Sequence, residues 1–275
     1  MSDVDALKAE IARYEWYHSI EVAPGVVTPG WPEAGTVQFI SEELARHDLA
    51  GKRVLDIGCR DGIFCFAAER AGAAEVIGID NDLSRGAIEF LIPYFRSRVR
   101  MHEVNFYDFD DTHGFDFVIF AGVLYHLREP FHALRRIANV MRPGATLLIE
   151  TAMLANGPPL PMVYTPPPDA SPYKEATSVT FFNHLGLDAA LRSFRFLQVS
   201  CPKVLVPNQY PCLSWAECAP YLECHHGGPP IIARAIYTAE ASGADTSLRH
   251  QYWYGRHRMH SSTAVNEQYL KQEGY

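Results

Sequence analysis

Apolar positions change their period along this chain. Between residues 3 and 17 they fall at Ala6, Ile11, Ala12 and Trp16, close to the spacing of one helix face, which predicts a helix over Asp3–Tyr17. Prolines and glycines then predict a loop over 25–32, and a second helix is expected over 36–47. From residue 53 short apolar runs alternate with helical patterns. The runs 53–57, 75–79, 100–104, 115–120 and 145–150 predict strands. The stretches 61–71, 83–95 and 129–141 predict helices, the second interrupted near Pro93 and the third ended by Pro143-Gly144. After Thr151 this rhythm breaks. Residues 155–172 hold seven prolines and almost no charge. A helix over 185–193, a strand over 196–200 and a last, antiparallel strand over 231–238 complete the pattern.

Strands alternating with helices imply an α/β fold with a doubly wound, mostly parallel sheet and an antiparallel last strand. The expected organisation is an N-terminal helical cap and covering loop over 1–50, then the α/β domain over 51–240. Insertions at 153–180 and 202–230 are expected to act as lids, and a polar tail occupies 241–275. A long connection inside a domain is commonly a functional cover.

Charge and thiol content narrow the function. Lys plus Arg number 24 against 32 for Asp plus Glu, a formal charge of -8. Proteins that coat nucleic acid are usually basic, so that class falls in rank. No apolar run reaches the roughly 18 residues of a membrane span, and the charged start has no apolar signal region. These features point to a soluble, cytoplasmic protein. Cys212, Cys218, Cys224, His225 and His226 cluster in sequence but contain no C-x-x-C pair, so no metal is expected.

The first strand of the alternating pattern ends in Val54-Leu-Asp-Ile-Gly-Cys-Arg-Asp-Gly62. Gly58 allows a tight turn beside a ligand, and Gly62 allows close helix packing. The helix opening at Asp61 directs free N–H groups toward the bound group. No Gly-Lys-Ser/Thr follows, and the full G-x-G-x-x-G is absent, so neither a Walker loop nor a dinucleotide fingerprint is present. Asp80 closes the second strand, 22 residues after Gly58. It is placed either to accept ribose hydroxyls or to cap the next helix.

Asp56-x-Gly58-Cys59, Gly-Ile-Asp80, Asn105-Phe106 and Pro143-Gly144 together resemble the class I S-adenosylmethionine methyltransferases, over roughly 51–200. The resemblance implies a Rossmann-like fold, S-adenosylmethionine as cofactor and S-adenosylhomocysteine as product. By that likeness the loop from Asp56 through Gly58 and Arg60 to Gly62 wraps the methionine portion. Asp80 holds the ribose, its neighbour Asn81 joins the cofactor site, and Asn105, Phe106 and Tyr107 border the adenine. Arg60 stands where most members carry glycine; it either narrows the loop mouth or meets the cofactor carboxylate.

A narrower resemblance rests on Trp16-Tyr-His-Ser-Ile20, Gly25-Val-Val-Thr-Pro-Gly-Trp31, Gly122-Val-Leu-Tyr-His126, Leu148-Ile-Glu-Thr151 and Ile231-Ile-Ala-Arg-Ala235. These segments look like the tRNA wobble-uridine methyltransferase-like family. That likeness adds Trp31, Ala121, Tyr125 and Arg234 to the cofactor site. Its carboxymethylating members hold a carboxylated cofactor partly through a lysine upstream of the Trp31 position. Tyr17–Trp31 contains no lysine, which favours ordinary methyl transfer.

Candidate bases are His18, His126 and Glu150, with Tyr125 beside them; Tyr17, His18, Tyr173 and Arg234 are candidates for the substrate wall. Each has an alternative as a packing or turn-holding residue. The leading expectation is methyl transfer to a small organic acceptor in a biosynthetic pathway, the expected partners being small molecules rather than nucleic acid or membrane. The next is a tRNA wobble-uridine methyltransferase. A third, of another class, is a non-catalytic S-adenosylmethionine-binding scaffold. Arg249, Arg256 and Arg258 gather in the tail, while residues 155–172 offer no Lys or Arg. An anticodon loop needs several cations on its phosphates, so tRNA affinity at physiological salt is expected to be absent.

Overall fold

The computed structural model describes residues 2–31, 34–156, 159–205 and 230–243. The chain opens with α1 (Asp3–Ile11), whose N-terminus is closed by a capping box between Ser2 and Asp5. The helix expected to reach Tyr17 stops at Ile11. Trp16 leaves the helix axis, donates through Nε1 to the Ile11 carbonyl at 2.8 Å, and packs so tightly on Gly86 that a Cβ there would meet its ring at 2.5 Å. The proline-glycine stretch is also more ordered than a loop. β1 (Glu21–Ala23) and β2 (Val26–Val27) form a hairpin around Pro24-Gly25, and Gly25 supplies the positive φ of the turn. Helix α2 (Ala34–Leu44) follows.

The alternating region forms β3 (Arg53–Ile57), α3 (Ile63–Arg70), β4 (Glu75–Asp80), a π-helical turn over Ala87–Leu91 leading into α4 (Ile92–Phe95), and β5 (Arg100–Glu103). The π turn coincides with the interruption expected near Pro93. A proline ring crowds the carbonyl four residues back, and a wider turn relieves that contact. Next come β6 (Phe115–Ala121), α5 (Pro130–Val140) and β7 (Met141–Leu154). Strand β7 is longer than expected at both ends. It starts directly after α5, passing Pro143-Gly144 where its register on β6 shifts, and its far end is extended by its last partner strand. The proline-rich insertion is not structureless, because β8 (Val163–Tyr164) and β9 (Phe181–Phe182) pair into a short ribbon. Helix α6 (His184–Ser193), β10 (Phe196–Leu205) and β11 (Ile232–Ala241) complete the described chain.

Seven strands form one sheet in the order β10-β11-β7-β6-β3-β4-β5. All neighbours from β7 to β5 are parallel, and β11 runs antiparallel to both β7 and β10. The central strands read as nearly unbroken Val, Ile, Leu and Phe because both faces are covered. Leu55, Ile57, Val118 and Phe120 face one apolar cluster with α5 and α6, while Val54, Phe117 and Ile119 face a second with α2, α3 and the N-terminal segment. Among the described residues no helix is long and apolar enough to cross a membrane, and no group of His, Cys, Asp and Glu could hold a metal ion. The cysteine-histidine cluster at 212–226 and the tail arginines lie outside the described residues.

Candidate functional site

The C-terminal ends of β3, β4, β6 and β7 open into a cleft of about 620 Å³, at the edge where open α/β sheets bind ligands. Its size is that of an ordinary small-molecule or cofactor site. Gly58, Arg60, Asp80, Asn81 and Ala121 line one side. Tyr17, His18, Tyr125, His126, Glu150 and Arg234 line the other. All eleven are residues singled out in the sequence, and the fold brings them together from well-separated segments.

On the glycine-loop side, Gly58 has φ +80°, and a Cβ there would meet Val123 Cγ2 at 2.3 Å. Any side chain would be strained and would push Val123 across the cleft. The Asp80 carboxylate sits at the rim. Its Oδ2 accepts from the Arg60 N–H at 2.8 Å and its Oδ1 from the Asp82 N–H at 2.9 Å. Arg60 adopts φ +45°, in the region that favours glycine. Its guanidinium pairs with the Asp82 carboxylate at 2.5 Å and also donates to the Asp82 carbonyl. Of the two readings of Arg60, the structure therefore disfavours a charge aimed at the cofactor carboxylate.

On the opposite side, the turn after β6 carries Tyr125 and His126. Gly122 starts it with φ +74°, and a Cβ there would meet nothing within 4 Å, so open space lies over its backbone. The insertion clamps this turn: Val179 and Thr180 N–H both donate to the Tyr125 carbonyl, and Thr180 Oγ1 donates to the Leu127 carbonyl. His126 Nδ1 lies 3.1 Å from the Thr177 carbonyl. A carbonyl only accepts, so Nδ1 carries the proton and Nε2 holds the lone pair. Burial pushes the His126 pKa below its ordinary 6.5 and the Tyr125 phenol up to about 12. Both are neutral near pH 7.

Glu150 and Arg234 form the floor. Glu150 pairs across the sheet with Ile236, so Arg234 is its diagonal neighbour on the same face. Arg234 Nε and Nη2 donate to the two carboxylate oxygens at 2.6 and 2.7 Å, and the guanidinium lies 4.8 Å from the Tyr125 ring centre. Burial alone would lower the Arg234 pKa, but the Glu150 carboxylate outweighs it and holds it well above the usual value. The expectation of Glu150 as a base is corrected by this geometry. Its side chain is fully buried, with both oxygens committed to a bidentate pair.

Other expected site residues stand outside the cleft wall. Trp31 is 69% exposed; its N–H donates to the Tyr17 carbonyl, so its backbone supports the wall while its ring faces away. Gly62 caps α3 with φ +79°, the left-handed region that favours glycine, and does not line the cleft. Asn105 accepts from the Tyr107 N–H in a 3-10 turn, Tyr107 donates to the Glu129 carbonyl, and Phe106 packs on Phe120. These three side chains are used within the fold. Tyr173 does not line the cleft but meets Tyr125 edge-on at 5.8 Å.

Asp56 also lies below the cleft, fully buried, accepting from the Cys65 thiol at 3.2 Å. Burial pushes its pKa up to about 7. A carboxyl whose folded pKa is raised stabilises the fold when protonated, and that contribution fades as pH rises from about 4 through about 7. Asp56→Asn is therefore expected to gain stability over the wild type progressively across this window. Thermal melts at pH 5 and pH 8 check it: the advantage of Asn, about a few degrees, should be larger at pH 8.

Asp61 was legible only as a helix start. In the structure it is fully buried, and its Oδ2 accepts from the N–H groups of Tyr17 and His18 at 2.8 and 2.6 Å. Burial would raise its pKa, but the hydrogen bonds from His18 outweigh that and hold it below the usual carboxylate value.

A glycine turn, a carboxylate at the end of the next strand and a cleft at the sheet edge are the arrangement in which doubly wound folds bind nucleotide-type ligands. Comparison with known proteins agrees. Residues 34–196 match the methyltransferase domain family, more than half of the chain. A tRNA U34 carboxymethyltransferase of Methylococcus capsulatus is 40% identical over 110 residues, 38% of this chain and 34% of the relative. That of Azotobacter vinelandii is 31% identical over 177 residues, 61% of this chain and 52% of the relative. The chain thus spans between a third and about half the length of these relatives. Among solved structures, the N-terminal domain of EvdMO1 with S-adenosylhomocysteine bound superposes with a TM-score of 0.62 at 18% identity, covering 88% of this chain and 98% of that one. The 1,6-didemethyltoxoflavin-N1-methyltransferase of Burkholderia thailandensis does so with a TM-score of 0.53 at 16% identity, covering 77% and 80%. These two show the fold. The chain belongs to the methyltransferase domain family.

Proposed function

We propose that the cleft holds S-adenosylmethionine along Gly58–Asp80 and methylates a small organic acceptor bound between Tyr17, His18, Tyr125 and His126. The residues fit the cofactor. Open space lies over Gly122, Gly58 brings bare backbone to the cleft wall, and Asp80 keeps lone pairs for ribose hydroxyls beyond its two backbone bonds. The cofactor supplies an electrophilic methyl group. The protein's part is to hold the acceptor in line and exclude water. Tyr125, buried and neutral, shapes the acceptor wall. His126, with Nε2 unprotonated, is the base for an acceptor that must lose a proton. Glu150 anchors Arg234, which positions Tyr125.

The observation that carries the small acceptor is the state of the cations. Among the described residues, only Arg60 and Arg234 of the arginines and lysines line the cleft, and each is paired to a carboxylate, Asp82 and Glu150. Neither is left to meet a run of phosphates, on which tRNA binding depends. The names of the sequence relatives favour the second reading, a wobble-uridine modifying enzyme. The lysine-free stretch Tyr17–Trp31 favours the plain cofactor over a carboxylated one.

The two readings part on the fate of a labelled methyl group. The enzyme is incubated with methyl-labelled S-adenosylmethionine and either a small-molecule extract or bulk tRNA. Label is expected in the low-mass fraction alone. Label at a tRNA wobble uridine, with strongly salt-dependent tRNA binding, would reverse the order of the readings.

A further inference from the structure

We infer that Asp61 is a positioning residue that latches the N-terminal segment onto the glycine loop, so that cofactor binding and closure of the cleft's outer wall are coupled; this rests on the cleft being the cofactor site. Asp61 belongs to the turn between Gly58 and Gly62, yet its carboxylate faces away from the turn's own backbone. It takes the Tyr17 and His18 N–H groups on one oxygen, and His18 Nδ1 lies 3.3 Å from that same atom. Tyr17 and His18 line the cleft; Asp61 does not. The carboxylate is fully buried, and the Ser84 hydroxyl also lies against it. A buried carboxylate that accepts two backbone N–H groups on one atom, with the His18 ring nitrogen beside them, is costly to place unless those contacts hold something in position.

The segment is held from its other side as well. Thr28 Oγ1 donates to the His18 carbonyl at 2.6 Å and accepts from the Ile20 N–H at 2.8 Å, and Trp31 N–H donates to the Tyr17 carbonyl at 3.0 Å. Gly30 lies flat on the His18 peptide; a Cβ there would fall 2.2 Å from its carbonyl carbon. The segment 17–20 is thus clamped between residues 28–31, which follow the β1–β2 hairpin, and Asp61. A shift of the glycine loop must move Tyr17 and His18, and a shift of the segment must pull on the loop. Ligand that orders the loop therefore orders the wall, and reciprocally.

The test uses the full chain, S-adenosylhomocysteine as probe, calorimetry for affinity and hydrogen exchange for the segment. Asp61→Ala is expected to weaken binding by roughly tenfold or more, the scale of a lost charge-assisted hydrogen bond. Exchange of a peptide over 13–20 should quicken while β3 and β6 stay protected, which also shows that the variant is folded. Asp61→Asn keeps an acceptor oxygen and is expected to restore most of the affinity. Gly30→Ala, outside the cleft wall, should weaken binding too, by displacing the same segment; it decides the matter if Asp61→Ala fails to fold. The latch is overturned if Asp61→Ala, or in that case Gly30→Ala, binds as tightly as the wild type while Asp80→Ala binds more weakly. If Asp80→Ala also binds unchanged, the cofactor-site reading itself fails.

Discussion

Replacing Glu150 by Ala is expected to cost about 3–5 kcal/mol of folding stability, the scale of a buried ion pair with one partner removed. Glu150 is fully buried, and both its oxygens accept from Arg234 at 2.6 and 2.7 Å. Without the carboxylate the guanidinium, pinned on β11 beside the Tyr125 ring, keeps its charge with no counter-ion. Glu150→Gln keeps the volume and one strong acceptor, so its cost should be smaller. The double variant Glu150→Leu, Arg234→Met removes both charges at similar volume and should fold nearly as stably as the wild type, since apolar replacements of such pairs are often neutral. Denaturant midpoints for the three variants measure this. A loss within about 1 kcal/mol for Glu150→Ala, the range of an exposed pair, would show that the pair is solvated and of little weight.

The sheet was legible where strands are buried on both faces. Val54-Leu55, Val76-Ile77 and Phe117 to Phe120 offer apolar runs that only a covered parallel sheet accommodates. The hairpin at 21–27 and the ribbon of 163–164 with 181–182 were not legible, because strands of two or three residues carry too little pattern. Strand β7 outgrew its expected length because β11 pairs with it as far as Leu154, whose partner Ile232 is remote in sequence. At the site, Gly58 and Asp80 stood out because each follows or closes a strand at the sheet's ligand-binding edge. Asp61 did not, since accepting the amides of Tyr17 and His18 depends on chain brought in from 44 and 43 residues upstream. Trp31, Asn105, Phe106 and Tyr107 entered by likeness to a family. The Trp31 ring faces solvent, and the other three side chains are engaged in a 3-10 turn, a backbone hydrogen bond and ring packing. Glu150 was placed correctly at the cleft, but its partner on β11 turns a candidate base into an anchor.

The second large effect is expected at Asp80, which the proposed cofactor site sets against the ribose. Its carboxylate holds the Arg60 and Asp82 N–H groups, so it both shapes the loop and offers its remaining lone pairs to a ligand. Asp80→Ala would leave those two donors and the ribose hydroxyls without their acceptor. Losing that acceptor costs about 1–3 kcal/mol of binding in all, so affinity should fall by roughly 5–150-fold. Asp80→Asn keeps one acceptor oxygen and should fall between. The direct measurement is a calorimetric titration of S-adenosylhomocysteine into the wild type and Asp80→Ala, with circular dichroism confirming that both are folded. Clear binding to the wild type and a loss of that size in the variant are the expected results. Equal affinity for the two folded proteins would contradict the assignment of this cleft to the cofactor.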